Sequence, residues 1–537
     1  MQESQDESNL PASFTWKDAV FFSAALLFIY SQLFQLPFTP IYFDGDHLIP
    51  ISNAMRMLDG EVMHRDFFHF APPGTELIYA ALFSIFGVKV WVLNIAIVLL
   101  TIAQVWLLWI FSRQVLSGSG VYLPAVIFLT VGFRQMGIDG SYRLFSVVFA
   151  LAGIAVLMNR RSTRNLILAG GLCGLASFFV QPRGLVGIAG ISVFLLWENY
   201  QNGFNVKSLL KSGLYLTLPF ILVIIVTQSY FAWQAGLGNY YFDLVTFLRK
   251  HYPHDPLNNE FSYFSDVPGF GKYLETMSSQ AAVFRFIRAG LPVIFYYALI
   301  PLTYFVLLFV IWKRKGSSVS PDLKAKLVLL CFAGLALAGG ISAPTATRIY
   351  HVAIPGIVIF VWLFKQIPFT AKLTPICLFL LVLLGFSYAV QRQAIAKDQI
   401  DLPAGNAAFI SKDSFGKIEW MNAHTERGDT FYEAFHPSFY FPLHLKNPTP
   451  FYLVRDSEYT PYFQVESIVA ALEKDPPNLI VWEGTYSKPV GERMPGDNME
   501  PLWQFVSTNY EQIEEFKGAG EFTLTSERDS EVWELKK

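Results

Sequence analysis

Eleven apolar runs follow one another through the first 392 residues, and they restrict the chain to very few folds. A helix needs roughly 20 apolar residues to cross a hydrocarbon core of about 30 Å, and there it must satisfy its own backbone hydrogen bonds. Runs of that kind lie near 18–38, 89–111, 119–134, 141–158, 165–181, 184–199, 212–233, 290–312, 326–343, 349–366 and 373–391. Several are shorter than a full crossing, so their ends are fixed only to within several residues. The stretch Thr75 to Phe86 is shorter still and reads as an interfacial or re-entrant helix. The expected fold class is an α-helical polytopic membrane protein with about eleven transmembrane helices.

Charge divides the chain in two. Only 15% of the residues are charged, against about 25% in an ordinary soluble protein. From Gln393 onward there are 24 Asp+Glu against 13 Lys+Arg, which leaves 18 acids and 27 bases before it. A basic, apolar body (residues 1–392) therefore carries an acidic soluble tail (residues 393–537). Neither part has the clustered basic stripe of a nucleic-acid binder. Cys173, Cys331 and Cys377 all sit in apolar runs, so no disulfide framework is expected. Residues 1–15 are polar and acidic, and the first run has no small-residue cleavage exit, so it reads as a retained helix and not as a signal peptide.

Lys and Arg orient the helices. With the N-terminus cytoplasmic, the inside loops hold Arg113, Arg160, Arg161, Arg164, Lys207, Lys211, Lys313, Arg314, Lys315, Lys324, Lys326, Lys365 and Lys372. Outside turns hold few bases, chiefly Arg134, Arg183 and Arg348, as the positive-inside rule requires. Eleven crossings then put the tail outside, together with two long loops, 39–88 and 234–289. In the tail, Thr430–Phe435, Asn478–Trp482, Glu521–Thr525 and Glu531–Leu535 read as strands, and Gln464–Leu472 and Leu502–Phe516 as helices, giving a small α/β domain with no catalytic motif. The segment 488–500 reads as a surface excursion.

Intramembrane charge is costly. The cores of the expected spans hold no Asp or Glu, and acids gather at the outer ends. That disfavours a midplane proton relay and favours a site at the outer surface. The densest cluster is the first outer loop: Tyr42-Phe43-Asp44-Gly45-Asp46-His47, then Gly60, then Arg65-Asp66-Phe67-Phe68-His69-Phe70-Ala71-Pro72-Pro73-Gly74. Asp44 and Asp46 can simply cap the helix that runs from about His47 to Leu58. Alternatively, one is a general base or metal ligand facing an aqueous cavity.

The string from 42 to 87 resembles the first outer loop of GT-C-type glycosyltransferases, in the branch of the protein O-mannosyltransferases and lipid A aminoarabinose transferases. It has an acidic pair after the first span, a helix ending in Gly, then Asp-Phe-Phe, Pro-Pro-Gly and an apolar stretch closing on Phe86-Gly87. The resemblance covers roughly residues 15–392. It implies transfer of a sugar from a polyprenyl-phosphate donor to a lipid, glycan or protein acceptor on the non-cytoplasmic side, with a loop aspartate as base. That role falls on Asp44 or Asp46, and the spacing to Gly60 favours Asp44. Relatives often carry Asp-Glu where this chain has Asp44-Gly45-Asp46, and a Lys where it has Ala71, so the role of that Lys is either missing or supplied by Arg65 or His69. An acidic residue that helps bind metal in aminoarabinose transferases is replaced by Phe70, so metal dependence does not carry over and a divalent metal stays open.

Asp139, in Gly137-Ile138-Asp139-Gly140-Ser141-Tyr142-Arg143, matches an aspartate that faces the cavity in relatives, though it can equally cap the next helix. Arg183 and Arg348 stand at outer turns against the charge bias. A guanidinium offers forked donors for phosphate, the role that similar transferases give to such bases, whereas snorkelling to head groups is the plain alternative. Tyr350 and His351 belong with Arg348 or form an interfacial aromatic belt. His251, His254 and Asp255 lack a third convincing partner for metal, and their loop reads as a gate for the acceptor. A transporter or flippase would show midplane charges or pseudo-repeats. Neither is evident. A bacterial inner membrane with a periplasmic tail is the expected location.

Overall fold

A computed structural model describes residues 14–255, 290–313, 320–341, 345–483, 496–517 and 529–537. The first helix, α1 (Trp16–Leu33), opens with a capping box in which Thr15 and Asp18 satisfy each other's backbone N–H. Asp18 also accepts from Trp109 Nε1 (2.8 Å) and Tyr122 Oη (3.0 Å), which ties α1 to the helices beside it.

After α1 the chain makes β1 (Phe34–Gln35), β2 (Thr39–Tyr42), α2 (Leu48–Leu58) and α3 (Gly74–Phe86). Gly60 follows α2 with φ +93°, the left-handed turn that ends a helix most cheaply at glycine. The helical body continues with α4 (Val90–Val115), α5 (Leu123–Phe133), α6 (Tyr142–Leu157), α7 (Thr163–Phe179), α8 (Gln181–Gln201) and α9 (Val206–Ala235). Two short helices, α10 (Leu237–Tyr241) and α11 (Phe247–Lys250), precede α12 (Leu291–Lys313), α13 (Pro321–Gly339), α14 (Ala346–Val352), α15 (Ile354–Lys365) and α16 (Pro368–Ile395). Each apolar run thus coincides with helix. The 349–366 run is divided at Ala353, because Pro355 has no N–H to continue the ladder.

Among the described residues four helices are long and apolar enough on their own to cross a membrane: α4, α9, α12 and α16. In α9 only 11% of the most apolar window is buried, and in α16 only 17%; Leu214, Leu218, Ile225, Phe379, Leu383 and Phe386 are exposed. Apolar surface of that extent needs lipid as its solvent. By contrast α4 lies mostly inside, and Asn94 donates to the carbonyls of Leu33 (2.7 Å) and Ile41 (3.0 Å), where α1 has ended. Close packing elsewhere relies on small residues: a Cβ on Gly170 of α7 would overlap the Leu216 carbonyl of α9.

The tail forms β3 (Asp398–Leu402), β4 (Gly405–Phe409), α17 (Lys412–His424), β5 (Phe431–Glu433), α18 (Tyr440–Leu443), α19 (Tyr462–Lys474), β6 (Leu479–Glu483), α20 (Glu500–Asn509), β7 (Tyr510–Phe516) and β8 (Ser530–Leu535). One sheet has the order β5-β6-β8-β7. The other, β1-β2-β4-β3, joins the tail to the first loop, with Ile41 opposite Ala408 and Tyr42 opposite Phe409 in parallel register. That pairing requires an even number of crossings between Tyr42 and Gly405, as ten would be. Leu502–Phe516 is not one helix as its periodicity predicts. It stops at Asn509, and Tyr510–Phe516 pairs antiparallel with β8, whose edge outweighs the helical preference of the glutamates. The strand expected at Glu521–Thr525 and most of 488–500 lie outside the described residues.

Arg56 of α2 clamps loop to tail. Its guanidinium donates to Glu61 (2.9 and 2.5 Å) and to the Thr449 carbonyl (2.8 Å), and lies over the rings of Phe67 and Tyr452. Arg56→Ala leaves a buried carbonyl and a half-buried carboxylate without donors, so it should cost about 2–4 kcal/mol. A thermal melt unchanged from wild type would contradict this.

Candidate active site

β2 delivers the chain to Asp44 and Asp46 at the rim of the helical body. Asp44 accepts from its neighbour Gly45 N–H (2.7 Å) and from Ser438 Oγ of the tail (3.3 Å), and His436 Nδ1 lies 3.6 Å from it. Asp46 pairs with Arg143 at 2.5 Å. Neither aspartate caps α2, whose N-cap is His47 with no side-chain bond to the helix. The ring of His47 instead turns back to the Phe43 carbonyl (3.0 Å), which tightens the acidic turn.

Arg143 stands one residue inside α6, and its side chain is 7% exposed. Its other nitrogen reaches Asp139 at 3.3 Å. Asp139 also accepts from Ser141 N–H (2.8 Å) and Ser141 Oγ (2.9 Å), while Ser141 itself is the N-cap. One guanidinium therefore bridges two acidic turns. Partial burial works against ionisation of Asp46, but the charge and hydrogen bond of Arg143 prevail and hold that carboxyl well below the usual range.

Arg183 and Arg348 complete the group. Arg348 acts on Asp46 through space, and Arg183 lies within electrostatic range of both Arg143 and Arg348. Buried Arg183 donates to the Leu337 carbonyl (3.3 Å), and no carboxylate pairs with it among the described residues. Arg348 contacts Tyr252 Oη at 3.4 Å. Tyr350 and His351 are buried behind this group: Tyr350 donates to Gly137 O (3.0 Å), and His351 meets Gln104 (3.3 Å). Tyr350 supports the turn that carries Asp139, His351 packs against α4, and neither forms an exposed aromatic belt.

The remaining loop residues lie apart. Arg65 and Asp66 form a solvent-facing pair at 2.7 Å, and Arg65 also reaches Gln234. His69 faces Glu76 at 3.3 Å, and His64 faces Asp243 at 2.9 Å, in a separate buried polar cluster. Asp255 meets Arg455 (3.6 Å) and His254 meets Glu458 (3.2 Å); residues 256–289 lie outside the described residues. Among the described residues no three His, Cys, Asp or Glu side chains converge to hold a metal. Between Asp46 and Asp139 the place a cation would take is filled by Arg143, so that acidic set does not fit a divalent ion. Sequence reasoning missed His436 and Ser438, because Phe-His-Pro-Ser-Phe carries no motif and its relation to Asp44 exists only in three dimensions.

Comparison with known proteins agrees with this architecture. Residues 71–231 match the family model of the dolichyl-phosphate-mannose-protein mannosyltransferases, a segment that begins after the acidic pair and includes Asp139, Arg143 and Arg183. No curated protein matches the sequence. Among solved structures, the archaeal oligosaccharyltransferase AglB from Archaeoglobus fulgidus, in complex with an inhibitory peptide and a dolichol-phosphate, superposes with a TM-score of 0.52 at 10% identity, covering 94% of this chain and 80% of that one. The Archaeoglobus fulgidus oligosaccharyltransferase complex with Zn and sulfate gives 0.50 at 12% identity, over 94% and 73%. ArnT from Cupriavidus metallidurans bound to undecaprenyl phosphate gives 0.45 at 12% identity, over 97% and 98%. The fold is that of the Archaeoglobus fulgidus oligosaccharyltransferase, and the segment 71–231 is similar to the mannosyltransferase family.

The buried cluster yields a pH prediction. Burial pushes the Glu76 and Asp243 carboxyls up to about 8 and the His64 and His69 imidazoles down to about 3. Both carboxyls thus contribute stability that is complete below about pH 4 and lost as pH rises towards 8, while the imidazoles lose theirs as pH falls below about 6.5. Glu76→Gln should gain about 2 kcal/mol or more on wild type between pH 5 and pH 8 in thermal melts. A constant difference across that range would contradict the assignment.

Proposed function

We propose that the chain is a glycosyltransferase that moves a sugar from a polyprenyl-phosphate donor to an acceptor on the non-cytoplasmic side of a membrane. The observation that carries this is one cluster: Asp44 and Asp46 in the first loop, beside arginines brought from three different helices. The donor's leaving group is already a phosphate. The protein must therefore deprotonate the acceptor and offset the charge that grows on the leaving oxygens.

Asp44 is the base in this scheme. Asp46 is committed to Arg143, whereas Asp44 has only a backbone N–H, a hydroxyl and an imidazole around it. It takes the proton from the acceptor hydroxyl or amine as that atom attacks the anomeric carbon. The carbon–oxygen bond to phosphate breaks, and the polyprenyl phosphate leaves. A single displacement of this kind inverts the anomeric centre of a hexose or pentose. Arg183 and Arg348 face the phosphate, and Asp139, through Arg143, keeps the acidic turn in place. In this scheme the buried Tyr350 and His351 are supports, and the solvent-facing Arg65–Asp66 pair stands outside the cluster. No step is routed through a metal. The fold match favours a transferase over a transporter, and the basic loops support an outer position for residues 393–537, periplasmic if the membrane is a bacterial inner membrane.

The test is turnover of decaprenyl-phosphate-linked mannose, glucose and arabinose by purified protein in lipid nanodiscs, scored by release of decaprenyl phosphate. Asp44→Asn should lower kcat about 100-fold or more with an unchanged melt. Arg183→Gln and Arg348→Gln should weaken binding of undecaprenyl phosphate about 10-fold each. Full turnover by Asp44→Asn would remove it as base, and no turnover of any donor by wild type would overturn the transferase assignment.

A further inference from the structure

The tail enters the acidic site. Its segment Glu433-Ala434-Phe435-His436-Pro437-Ser438 runs beside Asp44, placing His436 Nδ1 3.6 Å and Ser438 Oγ 3.3 Å from the carboxylate. Several independent contacts hold the segment there. Tyr42 Oη, at the end of β2, donates to the Ser438 carbonyl (3.0 Å). Buried Glu433 accepts from Phe439 N–H (3.1 Å), and Glu433 N–H donates to Tyr440 Oη (2.9 Å). Phe435 has φ +86°, a conformation that costs a bulky L-residue of order 1–3 kcal/mol. It is kept because its ring is buried near Trp482 (6.0 Å between centroids) and its carbonyl accepts from Arg455 (3.0 Å). The strained residue immediately precedes His436 and sets the direction in which that side chain leaves the domain.

His436 is itself buried, and its Nε2 has no hydrogen-bond partner among the described residues. A buried polar nitrogen without a partner is costly where only packing is at stake. The two aspartates face it from the first loop, and His436 acts on Asp46 through space as well as on Asp44. Parallel pairing of β2 with β4 places tail and loop in one sheet, so the approach is part of the fold.

We propose that His436 is a positioning residue for Asp44, assisted by Ser438, so that the C-terminal domain completes the transferase site. This rests on the transferase assignment and on Asp44 as its base. His436 Nδ1 lies 3.3 Å from Ser438 Oγ, which in turn donates to Asp44, so the imidazole holds the hydroxyl that fixes the rotation of the carboxylate and leaves it aimed at the acceptor. The tail is then a structural half of the site.

The experiment is a double-mutant cycle in the same nanodisc assay. His436→Ala should lower kcat about 10-fold with KM for the donor changed less than about twofold, and Ser438→Ala should lower it about threefold. His436→Asn, which retains a donor near the Nδ1 position, should recover part of the loss, and added imidazole should partly rescue His436→Ala. In the Asp44→Asn background, measured by single turnover, His436→Ala should have no further effect. Binding of undecaprenyl phosphate should be unchanged throughout. Wild-type kcat in His436→Ala, or a loss of full size in the Asp44→Asn background, would overturn the proposal. Should His436→Ala melt far below wild type, the comparison is made with His436→Asn and Ser438→Ala, and equal kcat in both and wild type would overturn it. Full activity of Asp44→Asn would instead sink the base assignment, and inactivity of wild type the transferase assignment, so the failures are distinguishable.

Discussion

The bridge from Arg143 to Asp46 and Asp139 is the interaction on which the arrangement of the site depends. Two carboxylates on separate turns would repel each other at the edge of an apolar helix bundle, and neither would be solvated as in bulk water. A guanidinium between them, 7% exposed, offsets that repulsion and fixes the first loop to the start of α6. Breaking such a pair from one side costs more than never having made it. Arg183 and Arg348 then bring two further positive charges to a bridge of one guanidinium and two carboxylates, and those two charges are what a phosphate would meet.

The body was largely legible from the sequence, because lipid imposes lengths and polarities that soluble folds do not. Apolar runs translated into helices, one of them divided at Ala353 and the others displaced only at their ends, and Thr75–Phe86 proved too short to span, as expected. The site was legible in part. Asp46, Asp139 and Arg143 attract notice because charge beside apolar spans is costly, and the structure joins them. Arg65, Asp66 and His69 belong to the same string yet lie elsewhere, since neighbours in sequence along an irregular loop need not face one cavity.

The tail was the least legible part. Strands β1 to β4 carry too few residues for a period to show, and two of them come from the other end of the chain. Their pairing is set by where α1 and α16 end. The same pairing is what brings His436 to Asp44, a contact between residues 392 positions apart in sequence that no local pattern encodes. A boundary drawn at residue 392 by composition is therefore real in charge and polarity but is crossed by hydrogen bonds and by a continuous apolar core.

The central claim is that a lipid-linked phosphate sits on the arginines with its sugar turned towards Asp44. The most direct measurement is a cryo-EM map of the protein in nanodiscs with undecaprenyl phosphate. The account predicts phosphate density within about 4 Å of the Arg183 and Arg348 guanidiniums, with the chain entering the bilayer and open space between phosphate and Asp44. Phosphate density elsewhere on the protein, with the Arg183–Arg348 region filled by side chains, would contradict it.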